Sequence, residues 1–291
     1  MSDPPLLQGC GAVVVGGSRG IGLAVAEVLA SHGAGVVVNG RDADAASRAA
    51  ERITASGGCA VARSGSPADE ATANALIDAC IGTYGHINVL VNCAGTAEPS
   101  GSSILNVTGA RFRELLDAHL GTVFHTCRAA APAMAAQGGG AIVNTRSFAF
   151  LGDYGGTGYP AGKGAVNSLT LAIAAELKEH AVRANVVCPG ARSRLSTGPE
   201  YEAHIADLHR RGLLDEVSMR GSLDAAPAAY VAPMYAYLAS DLANEITGQI
   251  FVAAGGFIGQ FQRSTPTVLG YRDHHESPPW SVSDIQAMIT R

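Results

Sequence analysis

Six short apolar runs alternate with longer alanine-rich stretches along most of this chain, and that alternation constrains the fold more than any other feature. The runs span 12–15, 35–39, 89–92, 141–145, 184–188 and 249–253, and they are apolar without strict polar alternation. Continuity of that kind belongs to strands covered on both faces, as in a parallel sheet. Between them, 21–32, 42–56, 70–84, 110–137, 161–180 and 226–240 carry helical composition. Strand–helix alternation predicts a doubly wound α/β fold with a single, mostly buried parallel sheet. No internal repeat and no linker of distinct composition divides the chain, so one domain is expected over 1–256. Two stretches fall outside the alternation. The segment 191–223 reads as a loop with a helical piece, placed where such folds cover a substrate cleft, and 257–291 is a proline-containing extension with a short helix at 282–290.

Composition removes several function classes. Hydrophobic residues make up 47% and charged residues 15% of 291 positions, which supplies a large core and argues against disorder. A net charge of −5 offers no broad attraction for nucleic acid. The cysteines at 10, 59, 80, 93, 127 and 188 make no CxxC pair, so neither a zinc site nor a disulfide framework is expected. His204 and His209, and the pair His274-His275, lack metalloprotease spacing, and no catalytic metal is expected. The first five residues show no basic-then-apolar leader, and no run of about 18 apolar residues could span a membrane. A reducing, cytoplasmic setting with no membrane partner fits these features.

The run at 12–15 leads into Gly16-Gly17-Ser18-Arg19-Gly20-Ile21-Gly22, which opens directly into a helix. Glycines let the backbone turn sharply and approach a pyrophosphate, and a helix N-terminus favours its charge. Gly16, Ser18, Arg19, Gly20, Ile21 and Gly22 are therefore candidate dinucleotide contacts. After the run at 35–39 come Gly40 and Arg41, where an enzyme using NAD usually has an acidic residue for the ribose. Arg41, with Arg19, suits the 2′-phosphate of NADP(H); the alternative is a pair of ordinary surface arginines.

Ser147 follows the run at 141–145, and Tyr159 and Lys163 stand twelve and sixteen positions further on, at the start of a helix. At i and i+4 the tyrosine and lysine share one helical face. An unperturbed phenol titrates near pH 10, and a neighbouring ammonium lowers that value and makes it a usable proton donor. A serine hydroxyl can hold a carbonyl oxygen while a hydride arrives. Lysine occurs only at 163 and 178, so its coincidence with this spacing carries weight.

In combination, the glycine turn, Asn92-Cys93-Ala94-Gly95, Ser147, Tyr159/Lys163 and Cys188-Pro189-Gly190 resemble the short-chain dehydrogenase/reductase family, from about Gly11 to Gly256. The resemblance implies a Rossmann-type fold and a Tyr159 proton donor tuned by Lys163, which would also bind the nicotinamide ribose. It implies that Ser147 orients the substrate carbonyl and that Pro189 and Gly190 border the nicotinamide. Asn92, Ala94 and Gly95 would support the sheet beside the adenosine. Family members place an asparagine where His119 stands; His119 would either replace it in a proton relay, titrating near neutral pH, or serve as a buried structural histidine. Other departures are Val15, Cys93, Gly65 after the third strand, Phe150 and Arg194, and Arg192 and Arg194 could meet phosphates or an anionic substrate.

The expected activity is NADP(H)-dependent interconversion of a ketone and an alcohol by a homodimer or homotetramer. A secondary-metabolite ketone is the first expectation for the substrate and a hydroxyacyl thioester the second. Two other classes stay open: a non-redox epimerase, dehydratase or cyclase on the same scaffold, and a catalytically silent NADP-binding partner. The C-terminal extension would pack on, or be exchanged between, subunits.

Overall fold

The first strand, β1 (Gly11–Val15), is buried along its whole length, as are β2 (Gly35–Gly40) and β4 (Val89–Asn92), which is why these stretches are apolar at successive positions. Successive residues face opposite sides: Ala12 and Val14 enter one apolar cluster, Val13 and Val15 the other. A computed structural model describes residues 4–263 and 265–290; the leader expectation for the first five residues falls partly outside them. Eight strands form one sheet in the order β3-β2-β1-β4-β5-β6-β7-β8, with β3 (Cys59–Ser64), β5 (Gly140–Thr145), β6 (Val182–Gly190) and β7 (Ile250–Ala254) parallel to the first three.

The last strand, β8 (Phe257–Phe261), runs antiparallel to β7. Neither β3 nor β8 is among the six apolar runs. Both lie at sheet edges and are half-exposed, so neither needs unbroken apolar residues.

On one face α1 (Gly20–Ser31), α2 (Ala43–Ala55) and α9 (Ala232–Ala239) cover the cluster of Val14, Val36, Val38, Leu29 and Leu238. On the other, α3 (Glu70–Tyr84), α5 (Thr122–Ala136) and α6 (Gly158–Glu176) cover Val13, Val37, Leu90 and Ile142. Each fully buried valine or leucine contributes about 1.5–3 kcal/mol relative to exposure.

Local chemistry sets the helix ends. Asp42, Asp69 and Thr108 accept from the first-turn N–H groups of α2, α3 and α4 (Gly109–Leu116). The helix expected over 110–137 is broken: a π-helical turn, Asp117–Gly121, separates α4 from α5 and carries His119. The helix expected over 226–240 is confined to α9, because Pro227 and Pro233 suit only the flank and first turn of a helix. Segment 191–223 holds two helices, α7 (Pro199–Arg210) and α8 (Glu216–Leu223), around Ile205, Leu208 and Leu214.

The expected boundary after 256 precedes β8, whereas the first compact unit runs to Phe261 and the second begins at Gln262. Within the second unit, Ser281 and Asp284 cap α10 (Val282–Ile289) reciprocally, and the Arg272 guanidinium lies 3.7 Å from the Trp280 ring centre. Among the described residues no helix is long and apolar enough to cross a membrane.

Candidate active site

Strand order runs outward from β1 in both directions, towards β2 and β3 on one side and β4, β5 and β6 on the other, so a crevice opens where the winding reverses. The sequence-derived candidates collect along this edge. The glycine turn follows β1, Arg41 follows β2, Asn92 ends β4, Ser147 follows β5, and Pro189 and Gly190 end β6.

The turn after β1 is shaped for a close approach. Gly16 has φ +73°, and a Cβ there would lie 2.7 Å from the Ala94 nitrogen. Helix α1 begins after Arg19, which makes no side-chain cap, and has no acidic residue in its first turn. Its leading N–H groups, at Gly20, Ile21 and Gly22, therefore lack the side-chain acceptor that α2, α3 and α4 possess. An uncapped helix start behind a glycine turn fits the pyrophosphate of a dinucleotide.

At the end of β2 the buried Asn39 donates to the carbonyls of Arg63 and Gly65 and accepts, at 3.4 Å, from Gly16 N. No carboxylate occupies positions 39–41, and the first one, Asp42, caps α2 and pairs with Arg19. Ser18 lies against Gly40, where a Cβ would come within 2.4 Å of its Oγ. Arg41 is exposed.

Asn92 does not present its side chain to the crevice. Its Nδ2 donates to Asn144 Oδ1 and its Oδ1 accepts from Thr126, while Asn144 donates to Thr170, each at 2.9 Å. This buried polar chain ties β4 and β5 to α5 and α6. Past it, Ala94 lies against Gly16, and Gly95 lies beside His119 and Lys163.

Tyr159 lies in the first turn of α6 and Lys163 one turn on. The Ser147 side chain lies near enough to the Tyr159 phenol to act against the rise that burial imposes on it. Ser147 Oγ also accepts from Ala149 N at 3.2 Å, which leaves its proton free to donate. Lys163 is buried, and its Nζ donates to the Thr145 carbonyl at 3.1 Å. Burial pushes Lys163 down to about 8, against the opposing pull of Cys93 and Cys188. Tyr159 departs from the expectation of a lowered value: burial raises it, and the nearby Ser147 side chain offsets this only in part. The thiols of Cys93 and Cys188 are each pushed up to about 11 by burial, so they stand beside the site as protonated groups.

His119 is 1% exposed, and its Nε2 contacts the Thr96 carbonyl at 3.0 Å. Burial, reinforced by the Lys163 ammonium, holds its pKa down at about 3. The expectation that it titrates near neutral pH is therefore not met; it is a neutral imidazole beside Tyr159. Arg192 and Arg194 are exposed past β6. In the C-terminal unit Asp273, His274 and His275 bring three ligand-type atoms within 4.8 Å of one another, all on exposed residues.

The residue missed by sequence reasoning is Glu98. Its carboxylate accepts from the backbone nitrogens of Thr157, Gly158 and Tyr159 at the head of α6. The available signal was its isolation: it is the only charged residue between 93 and 110.

The short chain dehydrogenase family matches residues 11–197 of this chain. A cyclohexanol dehydrogenase of Acinetobacter sp. (strain SE19) is 33% identical over 84% of this chain and 94% of its own length. An NADP-dependent (R)-specific alcohol dehydrogenase of Lentilactobacillus kefiri is 33% identical over 87% of this chain and 98% of its own. The crystal structure of a short chain dehydrogenase from Mycobacterium avium superposes with a TM-score of 0.81 at 29% identity, covering 98% of this chain and 94% of that one.

Proposed function

This chain belongs to the short-chain dehydrogenase/reductase family, and on that premise we propose that it interconverts a ketone and a secondary alcohol with NADP(H) as the redox partner. The observation that carries the reading is the Ser147–Tyr159 hydroxyl pair, with a buried lysine one turn along the same helix. The dinucleotide fits the uncapped start of α1 and the glycine turn, where Gly16, Gly20, Ile21 and Gly22 would hold its pyrophosphate. Bound there, it supplies or accepts the hydride.

In the reductive direction Ser147 donates a hydrogen bond to the substrate carbonyl oxygen and fixes its position. Tyr159 then passes its phenolic proton to that oxygen as negative charge develops on it. Lys163, one turn along the same helix and anchored on Thr145, would supply the positive charge that eases loss of that proton. The water-poor surroundings strengthen each of these interactions. Pro189 and Gly190, at the end of β6, would border the nicotinamide ring, and segment 191–223, with α7 and α8, would close over the substrate.

The preference for NADP(H) rests on the absence of a carboxylate at 39–41 and on Arg41 after β2, next to Asp42, with which Arg19 is paired. The Lentilactobacillus relative is named as NADP-dependent, which agrees with this reading. A panel of ketones and secondary alcohols, followed at the reduced-nicotinamide absorbance band, tests it. Wild type should oxidise NADPH with at least one ketone, and Tyr159→Phe should lose on the order of 10²-fold or more of that rate while still binding cofactor. Full activity in Tyr159→Phe would overturn the assignment.

A further inference from the structure

The helix that carries Tyr159 and Lys163 has no cap of its own. Thr157, at its N-cap, makes no side-chain hydrogen bond and sits at φ −132°, ψ −48°, outside the extended conformation of the Asp42, Asp69 and Thr108 caps. Its first N–H groups converge instead on one carboxylate from the loop after β4. Glu98 Oε1 accepts from Thr157 N at 2.9 Å and Gly158 N at 3.1 Å, and Oε2 from Tyr159 N at 2.8 Å and Thr157 N at 3.0 Å. Ser102 Oγ donates to Oε1 at 2.8 Å and steadies the group from its own loop. Burial opposes ionisation of Glu98, but these donors outweigh it and hold the carboxyl below the usual range.

The opposing loop is shaped to receive that carboxylate. Gly156 has φ +78°, and a Cβ there would stand 2.4 Å from Glu98 Oε2. Any side chain would push the carboxylate off the helix. The same loop grips the site a second time: Thr96, two residues before Glu98, offers the carbonyl that His119 Nε2 contacts, and the His119 ring lies against the Tyr159 ring. Segment 96–98 therefore meets Tyr159 at its backbone nitrogen directly and at its ring through His119.

We infer that Glu98 is a positioning residue for catalysis, fixing the start of α6 so that the Tyr159 hydroxyl stays in register with Ser147; the inference rests on the role proposed above for Tyr159. A charged acceptor at a helix N-terminus makes stronger bonds than a neutral one, and it opposes the helix dipole as well. The requirement is geometric: displacement of a proton donor by about 1 Å can cost on the order of 10²-fold in rate. The hydrogen bonds of Glu98 go to the head of α6 and to Ser102, and none to the glycine turn after β1, so its removal should act on turnover and spare cofactor binding there.

The test compares wild type with Glu98→Gln and Gly156→Ala, the second of which displaces the same carboxylate from the opposite side. Amide hydrogen exchange at residues 157–159 should rise about tenfold or more in both variants, with exchange in β1 and α1 unchanged. With the best ketone, kcat should fall about tenfold or more while the KM for NADPH stays within about twofold. Exchange at 157–159 equal to wild type in Glu98→Gln, or a proportional loss of kcat and of NADPH-binding stoichiometry in both variants, would overturn the role. Should wild type turn over no ketone, the proposed activity fails by itself. Amide exchange and NADPH-binding stoichiometry then still decide whether Glu98 holds the helix start.

Discussion

The imidazole of His119 stands edge-on to the phenol of Tyr159, with ring centroids 4.9 Å apart and planes at 84°. Because Nε2 faces a carbonyl, the proton resides there and Nδ1 is left as an acceptor. Nδ1 is buried without a protein partner, close to Lys163: a Cβ on Gly95 would lie 3.2 Å from Nδ1 and 3.6 Å from Lys163 Nζ. A neutral acceptor beside an ammonium can take a hydrogen bond from it, or from a water next to it, without being protonated itself. In this reading His119 does the work of an amide side chain, despite being a histidine.

The first prediction concerns acid stability. The folded pKa of His119, about 3, lies below its unfolded value of 6.5, so the unfolded chain binds the extra proton. Its contribution is intact above pH 6.5 and is lost as pH falls towards 3, at up to about 1.4 kcal/mol per pH unit. Between pH 7 and pH 5 the wild type should lose about 2 kcal/mol to this group alone. Urea unfolding at both values should show a smaller loss in His119→Asn. Equal losses would mean that His119 titrates normally in the folded protein.

A second prediction separates stability from activity at Lys163. This ammonium is buried against a single carbonyl, with its pKa pushed down to about 8, so it is retained at a desolvation cost. Lys163→Met keeps most of the volume and removes the charge. Thermal unfolding should be unchanged or raised, by about 0–2 kcal/mol in stability, while kcat falls on the order of 10²-fold or more. Lost activity accompanied by a large loss of stability would instead make Lys163 a structural anchor.

How far the sequence could be read depended on whether a signal was local. The strands at 12–15, 35–39 and 89–92 were legible because burial on both faces demands unbroken apolar residues, and the edge strands β3 and β8 were not because nothing demands it there. Tyr159 and Lys163 were legible as an i, i+4 pair beside a glycine turn. The π-helical turn around His119 left no periodic mark, since it shifts the face of a helix that stays helical on both sides. Glu98 was out of reach for another reason: its partners at the head of α6 lie 59 to 61 residues away, and those are all backbone nitrogens. Such groups have no side-chain identity to read.

The third prediction is of cofactor preference. Arg41 is exposed after β2, and with Asn39 occupied by Arg63, Gly65 and Gly16 it is the residue that would meet a 2′-phosphate if the proposed NADP(H) preference holds. Arg41→Asp should lower kcat/KM for NADPH about tenfold to a hundredfold and leave NADH equal or improved, since a carboxylate repels phosphate and accepts from ribose hydroxyls. Steady-state kinetics with both cofactors reads this directly. An unchanged ratio would assign the preference elsewhere.

The last prediction concerns Arg146, the residue before Ser147. It is 2% exposed, and its guanidinium lies between Phe150 and Phe261, 3.7 Å and 3.9 Å from the two ring centres, with Nε and Nη2 lacking protein partners. Burial lowers its pKa, and the adjacent Cys188 opposes this. Two aromatic faces therefore offset the desolvation of a charge with few hydrogen bonds, and one of them comes from the edge strand β8. Phe261→Leu keeps an apolar side chain but removes the π-face, and should cost about 1–2 kcal/mol in urea unfolding. In an Arg146→Met background, where no cation needs that face, the same change should cost less than half as much. If Phe261→Leu costs the same with and without the arginine, the ring acts through packing alone. A surviving coupling would show that the strand closing the sheet holds in place the residue preceding Ser147.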